Sequence, residues 1–177
     1  MSVKLFGIKI DNITFEDAVN KGMELIDKDC VSQIVTINPE MLTEAEKNIS
    51  FRKIIEESAM VIPDGVGVKL ALKLQGYSVE RIPGIEYARK LLEKSAQNQV
   101  PIAIVGSTSE VIQKAVENLR KEIPGINVVY YHDGYFEDAN SIYKDLKAKN
   151  PKLVLAALGS PKQEFFIYNA KNVLQPC

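Results

Sequence analysis

The chain has 177 residues, enough for one domain with a real core and too few for two comfortable ones. Hydrophobic residues make up 46% and charged residues 25%, values that exclude disordered and low-complexity classes. With 22 basic and 23 acidic side chains the formal net charge is -1, so no strong field favours a nucleic-acid partner. No apolar run approaches the roughly 20 residues that span a bilayer, and the N-terminus alternates instead of forming a signal core. Cys30 and Cys177 make no CxxC pair or disulfide framework, and His132 is the only histidine, so a Cys/His metal cage cannot be built. The expectation is a cytoplasmic chain with ordinary reduced thiols.

Residues 3–10 alternate and predict one half-exposed strand. Thr14, followed by Glu16 and Asp17, starts a helix to about Asp27, with Phe15, Ala18, Val19, Met23 and Ile26 inward. Residues 32–38 read as a buried strand ended by Pro39, which can itself open the next helix. Thr43 and Glu46 have capping-box spacing within that stretch. A helix over about 51–58 leads to a short strand, Met60–Ile62, stopped at Pro63. Helices follow over Val66–Leu74 and Gly84–Ala96.

The second half is more regular. Strand 101–106 precedes a helix opened by Ser107 and Glu110 as a capping box. Then come strand 126–131, helix 140–148, strand 153–159 and a helix from about Gln163 to Val173. The strands IAIV and LVLAAL are apolar without alternation, as strands covered on both faces are. The expected fold is therefore a doubly wound, mostly parallel, Rossmann-like α/β sheet with helices on both faces. Pro176, just past a helix, usually leads into a further element, so more chain is expected beyond Cys177.

In such sheets ligands sit beyond the carboxyl ends of the strands, so the residues after each strand are the candidates. Asp64 lies between a strand end and Gly65 and Gly67, which let the backbone turn and leave the carboxylate accessible. A helix N-terminus favours a charged carboxylate there, suited to accepting a hydroxyl proton. Simple helix capping is the competing explanation, and local chemistry alone favours it. A dinucleotide fingerprint fails because Leu70 stands where a third glycine belongs, and no phosphate-loop motif occurs.

Gly106, Ser107 and Thr108 offer free backbone N–H groups and hydroxyls to a phosphate or ribose, or merely cap a helix. Gly159, Ser160, Pro161, Lys162, Gln163 and Glu164 follow another buried strand. Lys162 and Gln163 can reach a pyrophosphate, whereas a plain loop explains Pro161 and Glu164 but not Gln163. Thr36, Asn38 and Glu40 are more polar groups than a turn needs and suit sugar hydroxyls; an Asx turn is the alternative. Arg81 can neutralise a leaving diphosphate or simply be solvated. Tyr135, after Gly134, can stack on a base or pack in its loop, and His132 reads as structural. Asp27 and Asp29 form a DxD at the amino end of the sheet, away from the ligand edge, and no metal is inferred from it.

Taken in order, TINPEM (36–41), PDGVGV (63–68), RIPG (81–84), GS (106–107), DGYF (133–136) and GSPKQE (159–164) resemble the WecG/TagA/CpsF family of bacterial glycosyltransferases along essentially the whole chain. Within it the chain is most similar to the TagA type, which builds the linkage unit of wall teichoic acid. The resemblance implies one catalytic core and inverting, metal-independent transfer without a cofactor. It implies a UDP-N-acetylmannosamine donor and an undecaprenyl-diphosphate-linked N-acetylglucosamine acceptor. By motif position Asp64 is the general base, Thr36 and Asn38 position sugar or acceptor, Gln163 contacts the donor, and Arg81 helps bind acceptor or diphosphate. Gly65, Gly106, Ser107, Gly134, Tyr135, Gly159, Lys162 and Glu164 line the substrate site. It also implies a homo-oligomer, peripheral at the inner face of the cell membrane through a segment beyond residue 177. Transfer of N-acetylmannosaminuronic acid or a capsular sugar stays open. So do a non-catalytic nucleotide-binding module and another nucleotide-using enzyme such as a dehydrogenase.

Overall fold

The computed structural model describes residues 2–28 and 30–174; Asp29 and Cys177 lie outside the described residues, as does Pro176. The chain opens with β1 (Ser2–Leu5) and β2 (Ile8–Asp11), an antiparallel hairpin rather than the single strand that alternation suggests. The turn is Phe6 and Gly7, with φ of 49° and 80°. A two-residue turn of this hand sets Leu5 opposite Ile8, so the buried face steps from odd to even positions across it and Val3, Leu5, Ile8 and Ile10 are all buried.

Next come α1 (Phe15–Ile26), β3 (Ile34–Ile37), α2 (Pro39–Lys47), α3 (Ile49–Glu56), β4 (Met60–Pro63), α4 (Val66–Leu74) and α5 (Gly84–Gln97). The chain continues through β5 (Pro101–Gly106), α6 (Ser109–Glu122), β6 (Asn127–His132), α7 (Ala139–Lys149), β7 (Leu153–Ala157) and α8 (Lys162–Leu174). Caps explain most boundaries. Thr14 accepts from the Asp17 N–H, Asn38 from Met41, and Asn48 from Phe51. Thr43 is not a cap: its hydroxyl donates to the Pro39 carbonyl at 3.1 Å inside α2. Ser107 is not one either. Thr108 takes that role, accepting from Val111 at 3.4 Å, while Ser107 adopts φ 63°.

β3 and β4 are parallel, as are β6, β5 and β7 in that order. Successive side chains enter opposite layers. Ile102 and Ile104 pack with α5 and α6, whereas Ala103 and Val105 pack with α7 and α8. Met60 and Ile62 meet α1 and α5; Val35, Ile37 and Val61 meet α2, α3 and α4. The fold is thus doubly wound α/β as expected. Phe51, fully buried in the layer of α2, α3 and α4, is the kind of side chain whose truncation to Ala costs about 3–5 kcal/mol.

The parallel strands do not form one continuous ladder. β3 pairs with β4 and β7 with β5, and a cleft of about 370 Å³ separates the β3 and β7 edges. Gln33, ahead of β3, spans it by donating to the Glu164 carbonyl of α8 at 3.1 Å. Among the described residues no cysteine is a free thiol, which departs from the expectation for Cys30.

Candidate active site

Asp64 is placed by the ladder. Its N–H donates to the Ile37 carbonyl at 2.8 Å, one step beyond the Ile37–Pro63 register. Gly65 then turns with φ 87° and α4 starts without a side-chain cap. The Asp64 carboxylate instead turns to α5, where Oδ2 accepts from the Gly84 N–H at 3.1 Å. Pro83 gives α5 no capping oxygen, so Asp64 caps it across space. The segment before α5 is tied back by the Ile82 N–H donating to the Pro63 carbonyl at 2.9 Å. That brings Arg81 Nε to 3.8 Å from Asp64 Oδ1, with both side chains partly exposed.

Thr36 completes this group. A Cβ at Gly84 would lie 2.9 Å from Thr36 Oγ1, so only hydrogen fits between the threonine and the start of α5. Asn38 lies two residues on from Thr36, but its carbonyl oxygen is occupied by the Met41 N–H at 2.9 Å; its amide NH₂ is the part left to meet a ligand. Thr36, Gly84, Gln163 and Glu164 line the cleft between β3 and β7. Gln163 donates to Glu164 Oε1 at 2.9 Å, leaving its own carbonyl oxygen as an acceptor. Glu164 is buried and its Oε2 has no partner.

A second group gathers at the ends of β5, β6 and β7. Gly106 has φ 144°, and a Cβ there would run into the Ala157 backbone. Ser107 N–H donates to the Ala157 carbonyl at 3.1 Å, and Gly134 N–H to the Ser107 carbonyl at 2.8 Å. A Cβ on Gly134 would press on Leu158 at 2.9 Å. Gly159 turns with φ 77° and receives the Gln163 N–H on its carbonyl. Lys162, expected to reach a diphosphate, is tethered: Nζ donates to the Gly134 carbonyl at 3.1 Å and lies 5.2 Å from the Phe136 ring centre. Tyr135 stands 79% exposed beside this floor, its N–H held by Asp133 Oδ1 at 2.9 Å. His132 is structural, as expected. Its Nδ1 meets the Asp133 carbonyl at 2.8 Å and its ring packs between Tyr130 and Phe136.

The two groups share the carboxyl edge of the strands. Asp64, Thr36 and Arg81 belong to the ends of β3 and β4, and Gly106, Ser107, Gly134, Tyr135 and Lys162 to the ends of β5, β6 and β7; Thr36 and Gln163 both line the cleft between β3 and β7. Asp27 caps the far end of α1, away from this edge. Sequence reasoning missed Gly84, the residue that holds the carboxylate; the one available signal was a helix opening at Pro83 with no Ser, Thr, Asp or Asn to cap it.

Comparison with known proteins settles the family. Residues 3–177 match the glycosyl transferase WecG/TagA/CpsF family. The chain belongs to that family. Relatives carry the name N-acetylglucosaminyldiphosphoundecaprenol N-acetyl-beta-D-mannosaminyltransferase. One, from Bacillus spizizenii, is 34% identical over 141 residues, 79% of this chain and 55% of the relative. Another, from Bacillus subtilis, is 32% identical over 149 residues, 84% of this chain and 58% of the relative. A third, from Staphylococcus aureus, is 28% identical over 174 residues, 96% of this chain and 68% of the relative. The chain therefore spans little more than half the length of the two Bacillus relatives.

Proposed function

We propose that this chain is the catalytic core of an inverting glycosyltransferase that moves N-acetylmannosamine from UDP-N-acetylmannosamine to N-acetylglucosamine on undecaprenyl diphosphate. The names of the relatives support the sugar and the acceptor. The observation that carries the chemistry is the Asp64 carboxylate, fixed through Oδ2 by Gly84 and flanked by Thr36 and Arg81.

The reaction is one displacement. An Asp64 oxygen takes the proton of the acceptor hydroxyl. The freed oxygen attacks the anomeric carbon from the face opposite the diphosphate. The bond from that carbon to the diphosphate oxygen breaks, and UDP leaves with the electron pair. Inversion follows from the single step. Charge growing on the leaving diphosphate meets Arg81 and the helix N-termini of this edge, an arrangement that works without a metal. The Gly106, Ser107 and Gly134 floor receives the nucleotide, Tyr135 stacks on uracil, and the Gln163 carbonyl with the Asn38 amide orients the sugar. Turnover takes place at the inner face of the cell membrane, where the lipid acceptor lies.

Asp64→Asn tests the proposal. It keeps the size of the side chain and an oxygen for the Gly84 N–H but removes the base. UDP binding by calorimetry stays near the parent value, and in the full-length enzyme transfer to a lipid-diphosphate N-acetylglucosamine analogue falls by about 10²-fold or more, with or without EDTA. Near-parental transfer by this variant removes Asp64 from the role.

A further inference from the structure

α4 is apolar on two sides. Val68 and Leu72 are fully buried in the core. On the outward side Val66, Leu70 and Leu74 stand 67%, 55% and 82% exposed. Their four-residue spacing puts them in one stripe. A helix that is hydrophobic all round is ordinarily covered. The stripe starts two residues after Asp64. Ile85, 81% exposed, follows the glycine that binds that carboxylate. Tyr77 extends the exposed apolar surface just past the far end of α4. Exposed apolar side chains therefore come within two residues of both members of the Asp64–Gly84 pair.

The charges beside this surface are mostly basic. Lys69 and Lys73 are exposed on α4, which contains no acid. Residues 64–90 hold five basic side chains against three acidic ones, Asp64, Glu80 and Glu86.

We propose that the outward face of α4, with Tyr77 and Ile85, seats on an anionic lipid surface and brings Asp64 to the sugar of the lipid-linked acceptor. The inference rests on the acceptor assigned above and adds the surface by which the core meets it. An interfacial helix buries its apolar stripe among headgroups and acyl chains while lysines reach up to phosphates. The acceptor sugar stands only a diphosphate above its lipid, so the base has to approach the bilayer closely; the stripe beginning beside Asp64 meets that requirement. A second copy of this chain is a poorer occupant. A twofold interface centred on the stripe would bring Lys69 and Lys73 of both copies together, whereas anionic headgroups supply the opposite charge.

Vesicle sedimentation tests this without any acceptor. The protein is spun with vesicles of phosphatidylglycerol and phosphatidylcholine in equal parts, and with phosphatidylcholine alone. The expected result is binding to the anionic vesicles that weakens with salt, and about tenfold or greater loss for Leu70→Glu/Leu74→Glu. Both leucines are exposed, so thermal unfolding and UDP affinity stay at parental values. Lys69→Gln/Lys73→Gln loses several-fold on the anionic vesicles only. Failure of the parent protein to bind anionic vesicles, or equal binding by the leucine variant, overturns the proposal. So does a leucine variant that dissociates from oligomer to monomer with vesicle binding unchanged, which assigns the face to a second copy. Transfer to a short-chain, water-soluble acceptor is measured in parallel. If the full-length enzyme transfers to neither soluble nor embedded acceptor, the assigned reaction falls, while the vesicle result still decides the surface.

Discussion

The Gly84 N–H and the Asp64 carboxylate, twenty residues apart in sequence, meet at 3.1 Å and join the end of β4 to the start of α5. The bond fixes one carboxylate oxygen and leaves the other beside Arg81. It also explains why α5 opens without a side-chain cap.

Gly84→Ala should separate chemistry from binding. The new Cβ would sit 2.9 Å from Thr36 Oγ1 and 3.2 Å from Thr36 Cβ, so the first turn of α5 has to shift. With Asp64 as base, turnover falls on the order of tenfold to a hundredfold through misplacement of the carboxylate. UDP affinity, measured by calorimetry, changes little because the proposed nucleotide floor is built from the ends of β5, β6 and β7, not from β3, β4 or α5. An equal loss in both would mean that the whole edge had been disrupted.

Gly106→Ala addresses the nucleotide floor. The position has φ 144°, and its Cβ would enter the Ala157 backbone, which cannot rotate aside. The cost is about 2–4 kcal/mol, read as a lower urea midpoint with an unchanged slope. Parental stability would show that β5 and β7 separate more easily than their ladder implies.

The facing edges of β3 and β7 should exchange their amide hydrogens early. Each strand is paired on one side only. Hydrogen exchange followed by mass spectrometry should show residues 34–37 and 153–157 less protected than central β5, which is paired on both sides. Protection equal to that of β5 would mean that the cleft closes in solution.

Alkaline pH should weaken the fold through two tyrosines. Burial pushes the Tyr143 hydroxyl up to about 12. Burial, then the hydrogen bond to Asp145, pushes Tyr130 up to about 12. Both lie above the ordinary value of 10.0, so the folded state holds these protons more tightly than the unfolded state. Their contribution is complete below the ordinary value and is lost as pH rises from about 10 to about 12. Urea unfolding across that range, with tyrosinate absorbance in parallel, should show the decline, and Tyr143→Phe should make it shallower.

Sequence alone located most elements because apolar spacing and caps act locally. Pro39 after Asn38, Gly65 after Asp64 and the apolar LVLAA of β7 mark their elements whatever surrounds them. Where a boundary depended on which of two neighbouring hydroxyls turns inward, local chemistry was insufficient: Ser107 and Thr108 both suit a cap. The β1–β2 turn did leave a mark, the step of three between Leu5 and Ile8 in an otherwise alternating run, but a single slip of that kind fits a half-exposed strand as well as a hairpin. At the site, the polar strand ends were visible in sequence, but their partners were not. Nothing near Lys162 announces the Gly134 carbonyl that holds it.

The sequence by itself determined the doubly wound α/β plan and the family, because a periodic apolar pattern and a set of ordered motifs are carried in the order of residues. Only the tertiary structure decided that Asp64 caps α5 instead of α4, that Asn38 spends its carbonyl oxygen on α2, and that β3 and β7 stand apart. Each depends on which segments lie side by side after folding, and a hydrogen bond or a ladder forms between neighbours in space however far apart they are along the chain.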